Sequence, residues 1–226
     1  MSLRWSWLGR VGHAEAVARM EALRSAILDG EGVETLLMVE HPPVVTLGRR
    51  ARAEHVLASA ERLAALGVTL APSSRGGDVT YHGPGQLVAY PVVRLVDGVV
   101  AHVARLAEAA IEVAADFGIT ARFDRARPGV WVDDAKLAAV GVHVHRRVAI
   151  HGLALNVTTA LDAFDLIVPC GLPDIRVTSI AALSGAQPSL PALAARFAAA
   201  FARASGRALE PVDGNQPLLL DRPSVE

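Results

Sequence analysis

Three consecutive strand-like segments in the middle of the chain place the strongest constraint on its fold. Residues 130–132, 136–145 and 148–157 are runs of β-branched and apolar residues separated by short polar stretches. The two longer runs are joined only by Arg146 and Arg147, which leaves room for a tight turn alone. A turn this short connects antiparallel neighbours, so the segment predicts a β-meander. Any fold of this chain must therefore contain antiparallel sheet.

Helical periodicity occurs on both sides of this meander. Apolar residues recur at helical spacing in three long segments and one short one, at 13–28, 99–117, 188–204 and 59–66. Further strands are predicted at 3–8, 34–40, 44–47 and 87–95. We predict one α+β domain over residues 1–210, built on a mixed, mostly antiparallel sheet flanked by helices. The tail from 211 to 226 is rich in Pro and charge and is expected to be poorly ordered.

The composition excludes several classes of protein. The chain has 226 residues, 52% of them apolar, and a net charge of −1. This balance provides no basic field for nucleic acid, and no uncharged apolar stretch is long enough to span a membrane. The first ten residues lack the apolar core of a secretion signal, and one cysteine cannot form an internal disulfide. Together these features predict a cytoplasmic protein.

Lys136 is the one lysine among the 22 basic residues of the chain. In a sequence that otherwise uses Arg for positive charge, a retained Lys suggests a task that Arg cannot perform. Arg stays protonated in essentially any protein environment, whereas a desolvated Lys can lose its proton and act as a base. The alternative is a surface lysine retained by chance.

The segment from Arg75 to Gln86 is the densest group of unusual residues, with five Gly and Pro positions among polar and aromatic ones. We predict a loop whose backbone approaches a ligand closely and directs N–H groups at it. The alternative is a Gly-rich connector without a ligand. A phosphate-binding P-loop is disfavoured because its Gly-Lys-Ser/Thr ending is absent.

Cys170 lies at a Pro-Cys-Gly corner, where its thiol can be presented as a nucleophile. A small buried hydrophobe is the alternative reading of a lone Cys. The candidate activating groups are Lys136, His82 and His151. His143 and His145 share one face of a strand and could bind zinc, but no third ligand is evident, so the exposed face of an edge hairpin is favoured. We expect no metal site.

Taken together, four segments resemble the lipoyl(octanoyl) transferase family. Residues 75–86 (RGGDVTYHGPGQ) resemble its signature loop, and 129–132 with 136–141 (GVWV, KLAAVG) resemble its lysine hairpin. Residues 151–157 (HGLALNV) resemble the next strand, and 168–171 with 177–180 (VPCG, VTSI) resemble the segment that carries the nucleophile. The resemblance implies the catalytic-domain fold of biotin and lipoate ligases, and it extends over roughly residues 1–205.

The resemblance also implies a ping-pong acyl transfer. Cys170 is expected to take the octanoyl group from octanoyl-acyl carrier protein as a thioester and pass it to a lysine of a lipoyl domain. Lys136 is expected to lower the pKa of the thiol and to shuttle the proton. The substrate-binding residues implied by the family motifs are Arg75, Gly76, Gly77, Asp78, Val79, Thr80, Tyr81, His82, Ala139, Val140, Gly141, Gly152, Leu153 and Ala154.

The implied partners are octanoyl-acyl carrier protein as donor and two kinds of acceptor. These are the lipoyl domains of 2-oxoacid dehydrogenase subunits and the glycine cleavage H protein. No cofactor is expected because the acyl group arrives as a thioester, and a monomer is the expected state. Two alternatives stay open: an ATP-dependent lipoate- or biotin-type ligase, and a non-catalytic module that binds acyl groups or carrier proteins.

Overall fold

The fold is described by a computed structural model for residues 2–171 and 175–211. The strands in these ranges are β1 (Ser2–Arg10), β2 (Thr35–Glu40), β3 (Val44–Leu47), β4 (Thr69–Pro72), β5 (Val79–His82), β6 (Gln86–Arg94), β7 (Arg122–Asp124), β8 (Gly129–Val132), β9 (Ala135–His145), β10 (Val148–Asn156), β11 (Arg176–Val177) and β12 (Ala208–Pro211). The helices are α1 (His13–Asp29), α2 (Ala60–Ala65), α3 (Gly98–Ala115), α4 (Ile180–Ser184) and α5 (Leu190–Ala204).

A large sheet forms the centre of the molecule, with the strand order β12-β1-β2-β6-β10-β9-β8-β7 and β11 paired to β9. Pairing is antiparallel from β2 across to β7, whereas β1 runs parallel to β2 and β12. The meander is confirmed as β8-β9-β10, and Arg146 and Arg147 form its second turn with positive φ angles of 45° and 67°. Two consecutive positive φ angles match the right-handed twist of the strands. The predicted mixed, mostly antiparallel α+β fold is confirmed.

Helices cover both faces of this sheet. On one face α3 and α5 bury Leu106, Phe197 and Phe201 against the strands; on the other, α1 buries Met20 and Ile27. Side chains alternate along β10 between these two cores, as the period of a strand requires. The central strands therefore have no solvent-facing side, which explains why their sequences are almost continuously apolar.

A second, three-stranded sheet of order β4-β3-β5 lies beside the main one. Here the prediction of an unbroken loop from Arg75 to Gln86 is wrong. Residues 79–82 form β5, which pairs antiparallel with β3, and Gln86 already belongs to β6. Val79, Thr80 and Tyr81 are strong strand formers, and their propensity outweighs the glycines and proline around them.

Several short elements were not predicted: β4, β7, β11, β12 and α4 have too few residues to show periodicity. Pro211, placed at the start of the tail, ends β12, which pairs with β1; residues 212–226 lie outside the described ranges. Within those ranges, no helix combines the length and apolar character needed to cross a bilayer.

His102 is a buried polar residue far from the second sheet, between α3 and α5. Its ring packs against Phe201 with centroids 6.0 Å apart, and its Nε2 has no hydrogen-bond partner among the described residues. Burial, and secondarily the charges of Arg207 and Arg105, lower the pKa of His102 to about 4. The unfolded chain binds this proton near pH 6.5. Stability is therefore lost as the pH falls from 6.5 towards 4.

We predict that His102→Leu stabilises the fold by about 1 kcal/mol at pH 7, because an unpaired buried nitrogen is removed. The gain should be larger at pH 5, where the wild type loses stability through protonation of the unfolded state. Urea denaturation at both pH values measures the two differences. The exposed His145→Gln serves as control. An equal gain at pH 7 and pH 5 would contradict the assignment.

Candidate active site

The segment from Arg75 to Asp78 is held by backbone hydrogen bonds to the chain that follows β3. Gly48 N–H donates to Asp78 O at 3.2 Å, and Arg49 N–H donates to Arg75 O at 3.1 Å. A Cβ on Gly48 would lie only 2.8 Å from Arg75 Nη1. The close approach of these two segments therefore requires glycine at position 48.

Arg75 points into the protein, not towards solvent. Its guanidinium donates to Thr46 O at 2.6 Å, to Thr46 Oγ1 at 2.8 and 3.1 Å, and to Gly76 O at 3.1 Å. The side chain is buried. A hydrogen bond in which the donor is charged is stronger than one between two neutral groups. Arg75 therefore holds the segment against β3 and fixes the path of its backbone.

The same segment crosses the main sheet at β9. Gly76 N–H donates to Val142 O at 3.0 Å, and a Cβ on Gly141 would lie 3.0 Å from Gly76 O. Glycine at 141 lets the two backbones approach, while Gly77 adopts φ 88°, which other residues rarely do. Residues 75–78 thus form a roof over the α1 side of the sheet.

A cavity lies beneath this roof. Its walls include most of the predicted substrate-binding residues: Arg75, Gly76, Gly77, Asp78, Thr80, His82, Ala139, Val140, Gly141, Gly152, Leu153 and Ala154. His13, Val88, Tyr90 and His151 complete the lining. His13 and Tyr90 were missed, because each stands alone on α1 or β6 with no local motif that marks it.

The predicted residues Val79 and Tyr81 lie elsewhere. They alternate with Thr80 and His82 along β5, so their side chains face the opposite side. There they pack in the core of the second sheet with Val45 and Phe164, and the Tyr81 and Phe164 rings meet edge to face at 5.5 Å. Among residues 79–82, Thr80 and His82 therefore line the cavity, while Val79 and Tyr81 support the strand.

A second cavity adjoins the first and shares Thr80, Ala139 and Ala154 with it. Its other lining residues are Gln86, Lys136, Asn156, Phe164, Pro169 and Val177. The two cavities share this part of their wall and are together called the channel from here on. Lys136 and Pro169 line the second cavity, Gly141 and Gly152 line the first, and the small side chains of Ala139 and Ala154 lie in the shared wall.

Lys136 is 4% exposed, although it is the one lysine of the sequence. Its Nζ lies 4.9 Å from the centre of the Trp131 ring, a cation–π distance. Gly129 makes room for it, since a Cβ there would lie 3.1 Å from Lys136 Cε. The alternative interpretation, a surface lysine retained by chance, is wrong. The meander buries the aliphatic part of the Lys136 side chain, and the side chain lines the channel.

Cys170 lies in a short 3₁₀ turn, Pro169–Gly171, and its side chain is outside the part that the structure describes. The flanking residues fix the turn: Val168 N–H donates to His55 O at 2.8 Å, and Pro169 lines the channel beside Lys136. Gly171 has φ 66°, and a Cβ there would lie 3.1 Å from His55 Nδ1.

A His–Asp pair supports this turn. His55 Nδ1–H donates to Asp78 Oδ2 at 2.6 Å, and Asp78 Oδ1 accepts from Val79 N–H at 2.8 Å. Gly171 packs directly against the pair. Asp78 therefore connects the signature segment to the turn that carries Cys170, a role that the sequence pattern did not indicate.

Buried imidazoles surround one side of the channel. His41 donates through Nδ1 to Val11 O at 2.6 Å and accepts through Nε2 from Tyr90 Oη at 2.8 Å. Burial is the main cause that lowers the pKa of His13 to about 4, of His151 to about 3, and of His82 well below its usual value. These rings are neutral at pH 7, so the channel wall carries little positive charge beyond Arg75 and Lys136.

Two buried amides connect the channel wall with the strand of Lys136. Gln86 Oε1 accepts from His82 Nδ1 at 2.7 Å, and Gln86 Nε2 donates to Asn156 Oδ1 at 2.9 Å. Asn156 Nδ2 donates to Thr178 O at 3.0 Å, and Thr178 N–H donates to Lys136 O at 3.0 Å. This series of bonds fixes the spacing between β6, β10 and the segment beside β9.

The described residues contain no group of three or more His, Asp or Glu side chains placed to hold a metal ion. His143 and His145 lie near the open end of β9, where pairing with β8 has ceased. His143 is half-buried and His145 is exposed, in agreement with the preference for a hairpin end over a zinc site.

Comparison with known proteins assigns the class. The lipoyl protein ligase A/B catalytic domain family matches residues 13–202, and the chain belongs to that family. Relatives named octanoyltransferase include that of Solibacter usitatus, 47% identical over 87% of this chain and 90% of its own, and that of Acidobacterium capsulatum, 46% identical over 80% of each.

Solved structures agree on the fold. A lipoate-protein ligase A bound with ATP superposes with a TM-score of 0.73 at 18% identity, covering 95% of this chain and 90% of the other. A bipartite lipoate protein ligase from Thermoplasma acidophilum gives 0.72 at 19% identity, covering 95% and 88%. A biotin protein ligase from Aquifex aeolicus gives 0.51 at 12% identity, covering 91% and 70%. The ligase-like catalytic fold expected from the sequence is confirmed.

We predict that Asn156→Leu destabilises the fold by about 1–3 kcal/mol, because Thr178 O loses its buried donor and Gln86 loses an acceptor. Urea denaturation measures the loss. Gln187→Leu removes an exposed amide of the same chemistry and should change stability by less than about 0.5 kcal/mol. Wild-type stability in Asn156→Leu would contradict the described bonding.

Proposed function

We propose that the chain transfers an octanoyl or lipoyl group from acyl carrier protein to a lysine of lipoyl domains, through a thioester on Cys170. The channel carries this proposal and is called the acyl channel from here on: its two cavities share the small side chains of Ala139 and Ala154, and Pro169, next to Cys170 in the sequence, lines it together with Lys136. Small side chains in the middle of a buried passage leave space for an unbranched acyl chain, and the buried polar groups around it can fix its position. The octanoyltransferase names of the relatives support the same acyl group.

The chemistry divides into a thioester exchange and an aminolysis. The Cys170 thiolate attacks the thioester carbonyl carbon of the donor; the C–S bond to Cys170 forms, and the C–S bond to the carrier breaks. The leaving sulfur takes up a proton. The neutral ε-amine of the acceptor lysine then attacks the same carbon, the amide C–N bond forms, and the Cys170 sulfur leaves as the amine loses a proton. The acyl group is already activated, so the balance needs no ATP and no other cofactor.

Lys136 is the proposed proton carrier between these steps. Its ammonium favours the thiolate of Cys170 by charge, and its amine form can accept the proton that the acceptor lysine releases. Its burial beside Trp131 limits water access and keeps the group in one position. An arginine could supply the charge but could not release the proton.

The proposed acceptors are lipoyl domains of 2-oxoacid dehydrogenase subunits and the glycine cleavage H protein, and the proposed state is a monomer. The structure from Thermoplasma acidophilum is described as part of a lipoylation system that includes an E2 lipoyl domain. That fold similarity supports an acceptor of this kind here. A reducing compartment such as the cytoplasm suits an enzyme that depends on a free thiol.

We predict that Cys170→Ala abolishes transfer and that Lys136→Arg lowers its rate by about 10²–10⁴-fold, the usual contribution of a positioned acid–base group. Intact-protein mass spectrometry with octanoyl-acyl carrier protein, without ATP, measures the adduct, and peptide mapping places it. Addition of an apo lipoyl domain should remove the adduct from the enzyme as the domain gains the same mass.

Arg19→Lys on the surface of α1 is the matched control, since it exchanges the same two residue types away from the channel. It should form the adduct at the wild-type rate. Full turnover by Cys170→Ala would contradict the thioester. Modification that requires ATP and free octanoic acid would favour a ligase, and no modification under either condition would favour a binding module.

A further inference from the structure

The backbone of His151 has a conformation that is rare inside a strand. β10 lies at the centre of the sheet, yet His151 has φ 59°, in the left-handed region that non-glycine residues avoid. Such a conformation is strained and persists only where the surroundings impose it. Its position within the main sheet therefore calls for a specific reason.

The strain changes the direction of the side chain. By strand alternation His151 should point with Leu153 and Leu155 into the core beneath α3 and α5. Its ring instead lines the acyl channel on the α1 side and meets the Tyr90 ring edge to face, with centroids 6.1 Å apart. The left-handed backbone therefore adds a side chain to the channel at a place where regular pairing would leave none.

Hydrogen bonds hold both the ring and the backbone of His151. The ring Nε2 is hydrogen-bonded to Ser74 Oγ at 2.9 Å, directly before the roof segment, and the backbone N–H donates to Met20 Sδ on α1 at 3.2 Å. The side chain is 1% exposed, and burial lowers its pKa to about 3, so the ring is neutral at pH 7. A neutral ring can contact the methyl end of an acyl chain without placing a charge against it.

The same level of the sheet is closed from the other sides. Gly152 pairs with Gly141, over which Gly76 lies, and a Cβ on Gly152 would be 2.8 Å from Pro91 Cδ. The roof segment and the strands β9, β10 and β6 therefore approach one another closely at this point. His151 lines the cavity directly beside this point, with its ring against Tyr90.

The span along β10 can be compared with the length of an acyl chain. Asn156 lines the channel with Lys136, and Gly152 lies four positions earlier on β10, about 13 Å away at strand spacing. With C–C bonds of about 1.5 Å, an extended octanoyl group measures about 9 Å from carbonyl to methyl carbon, and a 12-carbon group about 14 Å. An octanoyl group therefore fits within this span, whereas a 12-carbon group exceeds it and would meet the imidazole of His151.

We propose that His151 is the end wall of the acyl channel and sets the upper limit of acyl-chain length. The proposal rests on the proposed function, because it assumes that the channel holds the acyl group. It assigns His151 to specificity, with no part in proton transfer.

The test compares acyl-carrier-protein thioesters of 8 and 12 carbons. His151→Gly removes the wall and accepts the positive φ without strain, so the 12-carbon to 8-carbon ratio of adduct-formation rates on Cys170 should rise at least tenfold. His151→Asn, which also tolerates this backbone, keeps a polar group towards Ser74 and should give a smaller rise in the same direction. His145→Gln, exposed at the end of β9, should leave the ratio unchanged.

A second variant shortens the channel from its middle. Ala154→Leu should lower the octanoyl rate relative to a 4-carbon thioester, because the added side chain fills the passage before the end wall is reached. Thermal unfolding shows that each variant is folded before its rates are compared, and His151→Asn decides the outcome where His151→Gly does not fold.

The outcomes distinguish a failure of the end-wall proposal from a failure of the proposed transfer reaction. An unchanged ratio in folded, active His151 variants would overturn the end wall and leave octanoyl transfer intact. Absence of any octanoyl adduct on the wild type would overturn the proposed function itself.

Discussion

The buried guanidinium of Arg75 is the interaction on which the arrangement of the site depends. It donates to both oxygens of Thr46 on β3 and to the carbonyl of Gly76 in its own segment. A buried charge is tolerated where hydrogen bonds satisfy it, and the bonds of this one join β3 to the roof segment. The second sheet, the roof and β9 meet at this point. The acyl channel is therefore a consequence of how two sheets are joined, and the glycines at 48, 76 and 141 allow the joint to close.

Many of the side chains around the channel are polar, but the imidazoles among them are uncharged. His41 bonds to Val11 O and to the Tyr90 hydroxyl, His82 bonds to the amide of Gln86, and Gln86 bonds to Asn156. Burial lowers the pKa of His41, His82 and the two further imidazoles of this wall, His13 and His151, and keeps them uncharged at pH 7. Such a network gives a rigid wall, because each member is fixed by directed bonds as well as by packing. The proposed action of Lys136 on Cys170 would take place against this neutral background, where no charged imidazole competes with it. The selectivity of the proposed chemistry thus depends as much on the neutral neighbours as on the charged group.

The sequence predicted most of the fold and part of the site, and the difference has physical causes. The long strands and helices show their own periodicity, so the meander, α1, α3 and α5 were found within a few residues. Motifs also placed Thr80, Ala139 and Gly152 at one cavity, because each lies in a segment with a family pattern. His13 and Tyr90 could not be found in this way, since His13 approaches the channel only when α1 packs on the sheet and Tyr90 only through the pairing of β6 with its neighbours. The family motif covers Val79 and Tyr81 as well, but strand alternation turns their side chains into the core of the second sheet.

The neighbours of Lys136, Trp131 and Gly129, determine the space in which its side chain lies. The register of β8 and β9 shifts between Val130 and Trp131, which brings Trp131 opposite Lys136 and turns its indole beneath the amine. Gly129 leaves room beside the lysine stem, since a Cβ there would lie 3.1 Å from Lys136 Cε and 2.7 Å from Ala138 O. A planar guanidinium is wider than an ammonium and keeps its proton in any case. The shape of this slot therefore favours lysine over arginine, and the proposed proton transfer would require lysine at the same position.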